Sequence, residues 1–155
     1  MASVWPRYDS PMPPSDLGLI RQRMRDVAAG ISRLQMAAPD GPLRADSVVD
    51  VIQILGREEQ RLLVEDWPEQ VRPMQVAWAA HVIRVGSLCR RVLDVTSDRS
   101  VVGHPPLTVL APLAGREREA TEAASDAVRA LQELVAAAQA AQGVPEDLFG
   151  PPRRH

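Results

Sequence analysis

Lysine and asparagine are absent from this 155-residue chain, and cysteine occurs only once. All 18 basic residues are therefore arginine, a bias that we attribute to the codon usage of a GC-rich bacterial source. Without lysine the chain has no Walker A phosphate-binding sequence. The single cysteine, Cys89, can form neither an internal disulfide nor a thiolate metal site, and we predict that it fills the core as a small hydrophobic residue.

Long hydrophobic runs are also missing. No segment has the 18 or more apolar residues typical of a membrane span, and the first residues lack the basic and apolar regions of a secretory signal. We therefore expect a cytoplasmic protein that does not bind membranes. The net charge of −2 and the pI of about 5.9 give no overall attraction to phosphate backbones, so we expect no nucleic-acid partner.

Apolar residues recur at spacings of three and four along most of the chain, which predicts helices rather than strands. Proline and glycine clusters separate four such segments. We predict helices that begin near residues 17, 46, 73 and 112 and end near 38, 66, 96 and 142. The fold class is therefore all-α, an up-down bundle of four main helices with irregular Pro-rich N- and C-terminal tails. Alternating net charges in successive helices favour this arrangement weakly.

The domain organisation follows from the same pattern. We predict a flexible Pro-rich tail over residues 1–15, a single helical-bundle domain over 16–142 and a flexible C-terminal tail over 143–155. Residues 98–111 contain Gly103 and a Pro pair but also several apolar residues, which indicates a loop packed onto the bundle. No internal repeat is present.

Glu59 and His81 are the two residues that interrupt apolar faces. A helical wheel places Glu59 in the middle of the apolar face of the second helix and His81 on the core side of the third. Both are equally far along the chain from a turn near Gln70, so an antiparallel hairpin would bring them to the same level. They could then form an acid/base pair or a ligand anchor in a pocket bordered by Trp78 and Met74, or a purely structural polar pair that fixes helix register.

Several apolar residues lie where a bundle core does not need them. Trp5, Tyr8 and Phe149 are three of only five aromatic residues, and all three fall in the predicted tails. Val76 and Ile83 lie away from the main face of the third helix, which suggests a second contact surface, covered either by the 98–111 loop or by another subunit. These five residues are candidates for binding a partner protein, although the tails could instead fold back over the bundle.

Catalytic and metal motifs are not recognisable. A di-iron bundle needs Glu-x-x-His pairs, and the residue three before His81 is Trp78. We assign no catalytic residue, no metal ligand and no cofactor. We predict a non-enzymatic interaction or regulatory protein that binds another protein or itself. The alternative is a small-molecule-binding bundle that uses the Glu59/His81 pair, and a helix-turn-helix DNA-binding protein is a third hypothesis.

Overall fold

Four long helices make up most of the computed structural model, which describes residues 17–34, 44–96, 110, 112–113 and 115–144. Helix α1 spans Leu17–Leu34, α2 Ala45–Val64, α3 Arg72–Thr96 and α4 Glu117–Ala141. A 3₁₀ turn, Glu69–Val71, precedes α3. These ranges contain no strand, so the predicted all-α four-helix bundle is confirmed.

Consecutive helices pack side by side and run antiparallel. Each helix contacts its neighbours in the chain, and α4 closes the ring by packing on α1. Arg23 near the start of α1 bonds Glu65 just after α2, whereas a Cβ atom on Gly30 would lie 3.7 Å from Cδ1 of Ile54, nearer the start of α2. Residue numbers therefore rise along α1 as they fall along α2.

The other half of the bundle follows the same rule. Arg84 of α3 bonds Glu133 of α4, and the amide of Leu113 donates to the carbonyl of Val95, so α4 starts where α3 ends. The Gln142 side chain donates to the carbonyl of Arg21, which brings the end of α4 to the start of α1. One end of the bundle thus gathers the start of α1, the end of α2, the start of α3 and the end of α4. We call it the Trp67 end, after the tryptophan buried there.

Core positions recur mostly at spacings of three and four, and the alternation is strict in α2. In α2 the buried positions are Val48, Val51, Leu55, Glu58 and Leu62. Helices α1 and α3 contribute larger residues in the same rhythm, including Met24, Ile31 and Trp78. This spacing keeps one stripe of each helix facing its neighbours.

Helix α4 supplies small side chains to this core. Six of its buried residues are alanines and the seventh is Leu134; the alanines are Ala120, Ala123, Ala127, Ala130, Ala138 and Ala141. The sequence predicts a seam of Val128, Leu131, Val135 and Ala138. Ala138 is buried as predicted, whereas the other three are only partly buried and flank the seam. Alanine at the seam allows the α4 backbone to approach its neighbours closely.

Ala127→Leu should therefore destabilise the protein by about 1–3 kcal/mol, because Ala127 is fully buried and three added carbons must force its neighbours apart. Urea unfolding measures the change. Ala136→Leu is the matched control on the exposed face of the same helix and should change stability by less than about 0.5 kcal/mol. Equal effects of the two substitutions would contradict close packing at the α4 seam.

Helix boundaries agree with the sequence prediction within a few residues, except at the start of α4. We predicted residue 112, and the helix begins at Glu117. Gly115 has φ of 80°, a left-handed conformation that stops a helix from extending back through it. The predicted loop over 98–111 and the predicted tails lie outside the described residues, apart from Leu110, Gly143 and Val144.

Candidate functional site

Glu58 is the buried carboxylate of the bundle. Only 1% of the residue is exposed, and it occupies a core position of α2 between Leu55 and Leu62. Its Oε2 accepts hydrogen bonds from Nε1 of Trp78 at 2.8 Å and from Nε of Arg23 at 3.2 Å. Because a carboxylate without partners is costly to bury, these donors from α1 and α3 are what make its position tolerable.

Arg23 joins two carboxylates. Its Nη2 donates to Oε1 of Glu65 at 2.7 Å, its Nη1 contacts Oε2 of the same residue, and its Nε lies between the oxygens of Glu58. Burial by itself lowers the pKa of the guanidinium, but the hydrogen bond to Glu65 and the charges of Glu58 and Glu65 outweigh it and raise the pKa. Arg23 therefore stays protonated and links α1 to α2 by pairing with two carboxylates.

Glu65 and the residues after it shape the turn between α2 and α3. Its Oε1 also accepts a hydrogen bond from Nε1 of the buried Trp67 at 3.0 Å, and its backbone carbonyl accepts one from the Gln75 side chain at 3.1 Å. Arg72 Nη2 donates to the Trp67 carbonyl at 3.1 Å and to Asp66 Oδ1 at 2.9 Å. The turn is held from both sides, which fixes how α3 leaves the Trp67 end.

We call Arg23, Glu58, Glu65, Trp67 and Trp78 the buried network. One oxygen, Oε1 of Glu58, lies 3.2 Å from Arg23 Nε and 3.9 Å from Arg61 Nη1 without a hydrogen bond of suitable angle among the described residues. The other polar atoms bond one another. With its groups engaged in this way, the arrangement is suited to aligning α1, α2 and α3 in one register, one attested use of buried polar groups.

The buried glutamate is Glu58, whereas the helical wheel predicted Glu59, the next residue. Glu59 is half-buried, at the edge of the α2 core face, whereas Glu58 continues its alternating spacing. One residue turns a helix by about 100°, which is enough to move a side chain from the core to its edge. The spacing was visible in the sequence and would have identified Glu58.

His81 and Glu59 are not joined by a hydrogen bond or ion pair in the described part of the chain. His81 is half-buried and lies three residues before Arg84, whose guanidinium bonds Glu133, so it belongs to the flank of α3 that faces α4 rather than α2. Of the residues proposed to border the pocket, Trp78 is buried against Glu58 and Met74 packs partly buried on the core. The pair remains a hypothesis without a contact to support it.

An open groove of about 220 Å³ runs between α1 and α2, towards the end of the bundle opposite the Trp67 end. Its lining residues include Gly30, Ile54, Arg33, Asp50 and Arg57. Neither Glu59 nor His81 lines it. The groove therefore gives no support to a ligand site at that pair.

The solvent face of α3 is apolar over its first three turns. Val76 is 64% exposed and Ile83 49% exposed, which agrees with their expected position away from the core. Exposed residues between and beside them are Pro73, Ala77 and Ala80, and no Arg, Asp or Glu occurs from residue 73 to 83. We call Pro73, Val76, Ala77, Ala80 and Ile83 the α3 stripe.

Other exposed apolar side chains lie at the same end of the bundle as the beginning of the stripe. Leu63 and Val64 at the end of α2 are 73% and 59% exposed, and Leu19 at the start of α1 is 66% exposed. All three belong to the Trp67 end, where α3 begins. The helical pattern predicted Leu63 on the buried face of the second helix, and its exposure shows that this was wrong. The other candidate partner-binding residues, Trp5, Tyr8 and Phe149, lie outside the described residues.

Cys89 occupies the core of α3, as predicted, and no side-chain surface is exposed to solvent. Burial raises the pKa of its thiol to about 12, from an ordinary value of 9.0. Because the thiolate is the reactive form, native protein should react with maleimide at pH 8 orders of magnitude more slowly than protein unfolded in urea. Mass spectrometry after timed quenching measures both rates, and similar rates would contradict the buried position.

The described residues contain no group of three or more His, Cys, Asp or Glu side chains placed to hold a metal ion. In the same part of the chain, no helix combines the length and apolarity needed to cross a membrane. No protein-family model, no curated protein and no solved structure matches the chain.

Proposed function

We propose that this protein acts without chemistry of its own, by binding another protein or a second copy of itself through the α3 stripe. The α3 stripe is the observation that carries this proposal. A helix that is apolar on all sides is normally buried on all sides, and the first three turns of α3 are apolar both towards the core and towards solvent. A partner that covers the stripe would remove this mismatch.

The surroundings of the stripe favour a protein partner. Leu63 of α2 widens the apolar area beside Val76, because the hydrogen bond from Gln75 to Glu65 brings these stretches together. Arg72 and Arg84, at the two ends of the stripe, are already paired with Asp66 and Glu133. An apolar centre with a neutralised polar rim is the usual composition of a protein interface.

The segments on either side of the bundle extend this proposal. Helix α1 starts and α4 ends at the Trp67 end, so the chain before Leu17 and after Val144 begins near the first turn of α3. Trp5, Tyr8 and Phe149 in those segments are aromatic residues of the kind that dominate binding energy in interfaces. We propose that they add anchors for the same partner, in the cytoplasm of a bacterium.

The alternative proposal, a small-molecule-binding bundle, depends on Glu59 and His81 meeting in a pocket. They lie on different flanks of their helices, and the described groove is elsewhere. The α3 stripe therefore supports a protein partner better than the pair supports a ligand.

Native mass spectrometry of the protein purified gently from its source cells tests the proposal. The wild type should carry a second protein chain, and a Val76→Glu/Ile83→Glu variant should lose it, because each substitution places a charge in the apolar contact. Val49→Glu, an exposed apolar position on α2 outside the stripe, is the matched control and should keep the partner. A bound small molecule, or equal masses for wild type and stripe variant, would overturn the proposal.

A further inference from the structure

The α3 stripe is self-complementary when the α3 helices of two copies are placed antiparallel. Val76 and Ile83, its two large side chains, lie two helical turns apart, with exposed Ala77 and Ala80 between them. Turned by 180°, each Val76 faces the Ile83 of the other copy, and the alanines allow the two helices to approach closely at the centre. The midpoint of this pairing lies between Ala79 and Ala80.

Two exposed charged residues lie equally far along the chain on either side of that midpoint. Glu69, in the turn before α3, and Arg90, about four turns after Val76, form no ion pair with the described residues. In the antiparallel arrangement the Glu69 of one copy meets the Arg90 of the other, twice per dimer. The apolar pairing and the charge pairing thus select the same register from different residues.

We propose that the partner of the α3 stripe is a second copy of this chain. A two-fold axis that passes α3 near Ala80 relates the two copies. This inference rests on the proposed function and names its partner. The flanking Arg72 and Arg84 do not oppose it, since Asp66 and Glu133 already neutralise them within each copy. The stripe comprises five residues, fewer than the roughly 20–30 per partner of a standard stable interface, so we expect dissociation on dilution, in the micromolar range.

Disulfide cross-linking tests the register. Cys89 is buried and is the chain's one cysteine, so Ala80→Cys adds a single exposed thiol. Oxidation by copper phenanthroline should convert Ala80→Cys to a covalent dimer at about 100 µM, because the axis brings the two thiols within bonding distance. Ser87→Cys is the matched control on the same exposed face, and its two thiols would lie about 20 Å apart along the helix, so it should stay monomeric.

A charge exchange provides the second readout. Glu69→Arg and Arg90→Glu should each raise the dimer dissociation constant about tenfold, because each turns two attractive pairs into two repulsive ones. The double variant restores both pairs and should return the constant to within about threefold of the wild type. Sedimentation equilibrium measures all four proteins, and additive weakening in the double variant would overturn the proposed register.

Failure of this inference is distinguishable from failure of the proposed function. Equal cross-linking of the Ala80→Cys and Ser87→Cys variants, or a wild type that stays monomeric at 100 µM, would overturn the two-fold dimer. If the protein from source cells nevertheless loses a different chain on Val76→Glu/Ile83→Glu substitution, the stripe binds another protein and the proposed function stands.

Discussion

Arg23→Met should destabilise the protein by about 3 kcal/mol, the largest effect that we expect of any charged residue. Removing one partner of a buried ion pair typically costs about 3–5 kcal/mol, because the other charge stays buried without compensation. Glu58 would lose its closest cationic contact among the described residues, and Glu65 would lose both of its bonds to the guanidinium. The lower end of the range applies because the Arg23 side chain is 18% exposed.

Urea unfolding followed by circular dichroism measures this change. Arg25→Met is the matched control, since Arg25 is exposed on the same helix and should change stability by less than about 0.5 kcal/mol. Adding Glu58→Met to Arg23→Met should recover part of the loss, because a buried pair replaced by apolar groups of similar volume costs far less than a broken pair. Equal stability of the Arg23→Met and Arg25→Met proteins would contradict the buried network.

Trp78→Ala should cost about 3–5 kcal/mol, as truncation of a fully buried aromatic side chain commonly does. Trp78 is 1% exposed and donates to Glu58, so alanine would leave a cavity and also remove a donor from a buried carboxylate. Total stabilities of domains are about 5–15 kcal/mol, so this single change could unfold much of the population.

Trp78→Phe separates the two contributions. Phenylalanine keeps most of the apolar volume and lacks the indole N–H, so the loss should fall to about 1–3 kcal/mol, the usual cost of leaving a buried polar group short of a partner. Val76→Ala, on the opposite face of α3, is the control and should stay within about 0.5 kcal/mol of the wild type. A Phe variant as stable as the wild type would show that the bond to Glu58 contributes nothing.

The fold was predictable because local signals agreed with one another. Alternating spacings of three and four marked every core helix, and proline and glycine marked the gaps. The start of α4 was missed because alanine-rich sequence favours helix without saying where it begins, and the left-handed Gly115 decides that. Three of the four residues predicted for the α4 seam were wrong for a related reason: large apolar residues suggested the core, whereas close packing selected alanine, including the predicted Ala138.

The buried network was only partly predictable. The sequence indicated a glutamate on the core face of α2, and the spacing rule identifies Glu58 once it is applied strictly. Its partners could not be read in the same way, because Arg23, Glu65 and Trp78 come from separate elements and meet only in the assembled bundle. Arg23 was one of several arginines in α1 with no local feature to separate it from Arg25.

The α3 stripe was easier to predict from the sequence than the buried network. Val76 and Ile83 stood out in the sequence as apolar residues outside the core face, and their exposure agrees with that position. The stretch without Arg, Asp or Glu over residues 73–83 is an equally visible signal that points to the same face. The partner that covers the α3 stripe could not be predicted in the same way, because binding depends on the partner's surface as well. The sequence of this chain specifies that surface only if the partner is a second copy of the chain.

Thiol labelling inside the source cells tests most directly whether a protein covers the α3 stripe. Cells expressing the Val76→Cys protein are treated with a membrane-permeable maleimide, and the labelled fraction is compared with that of the same protein purified and diluted. Val49→Cys serves as the control outside the stripe. We expect Val76→Cys to be protected in cells and labelled after dilution, and Val49→Cys to be labelled in both. Equal labelling of Val76→Cys in cells and in dilute solution would show that nothing covers the α3 stripe.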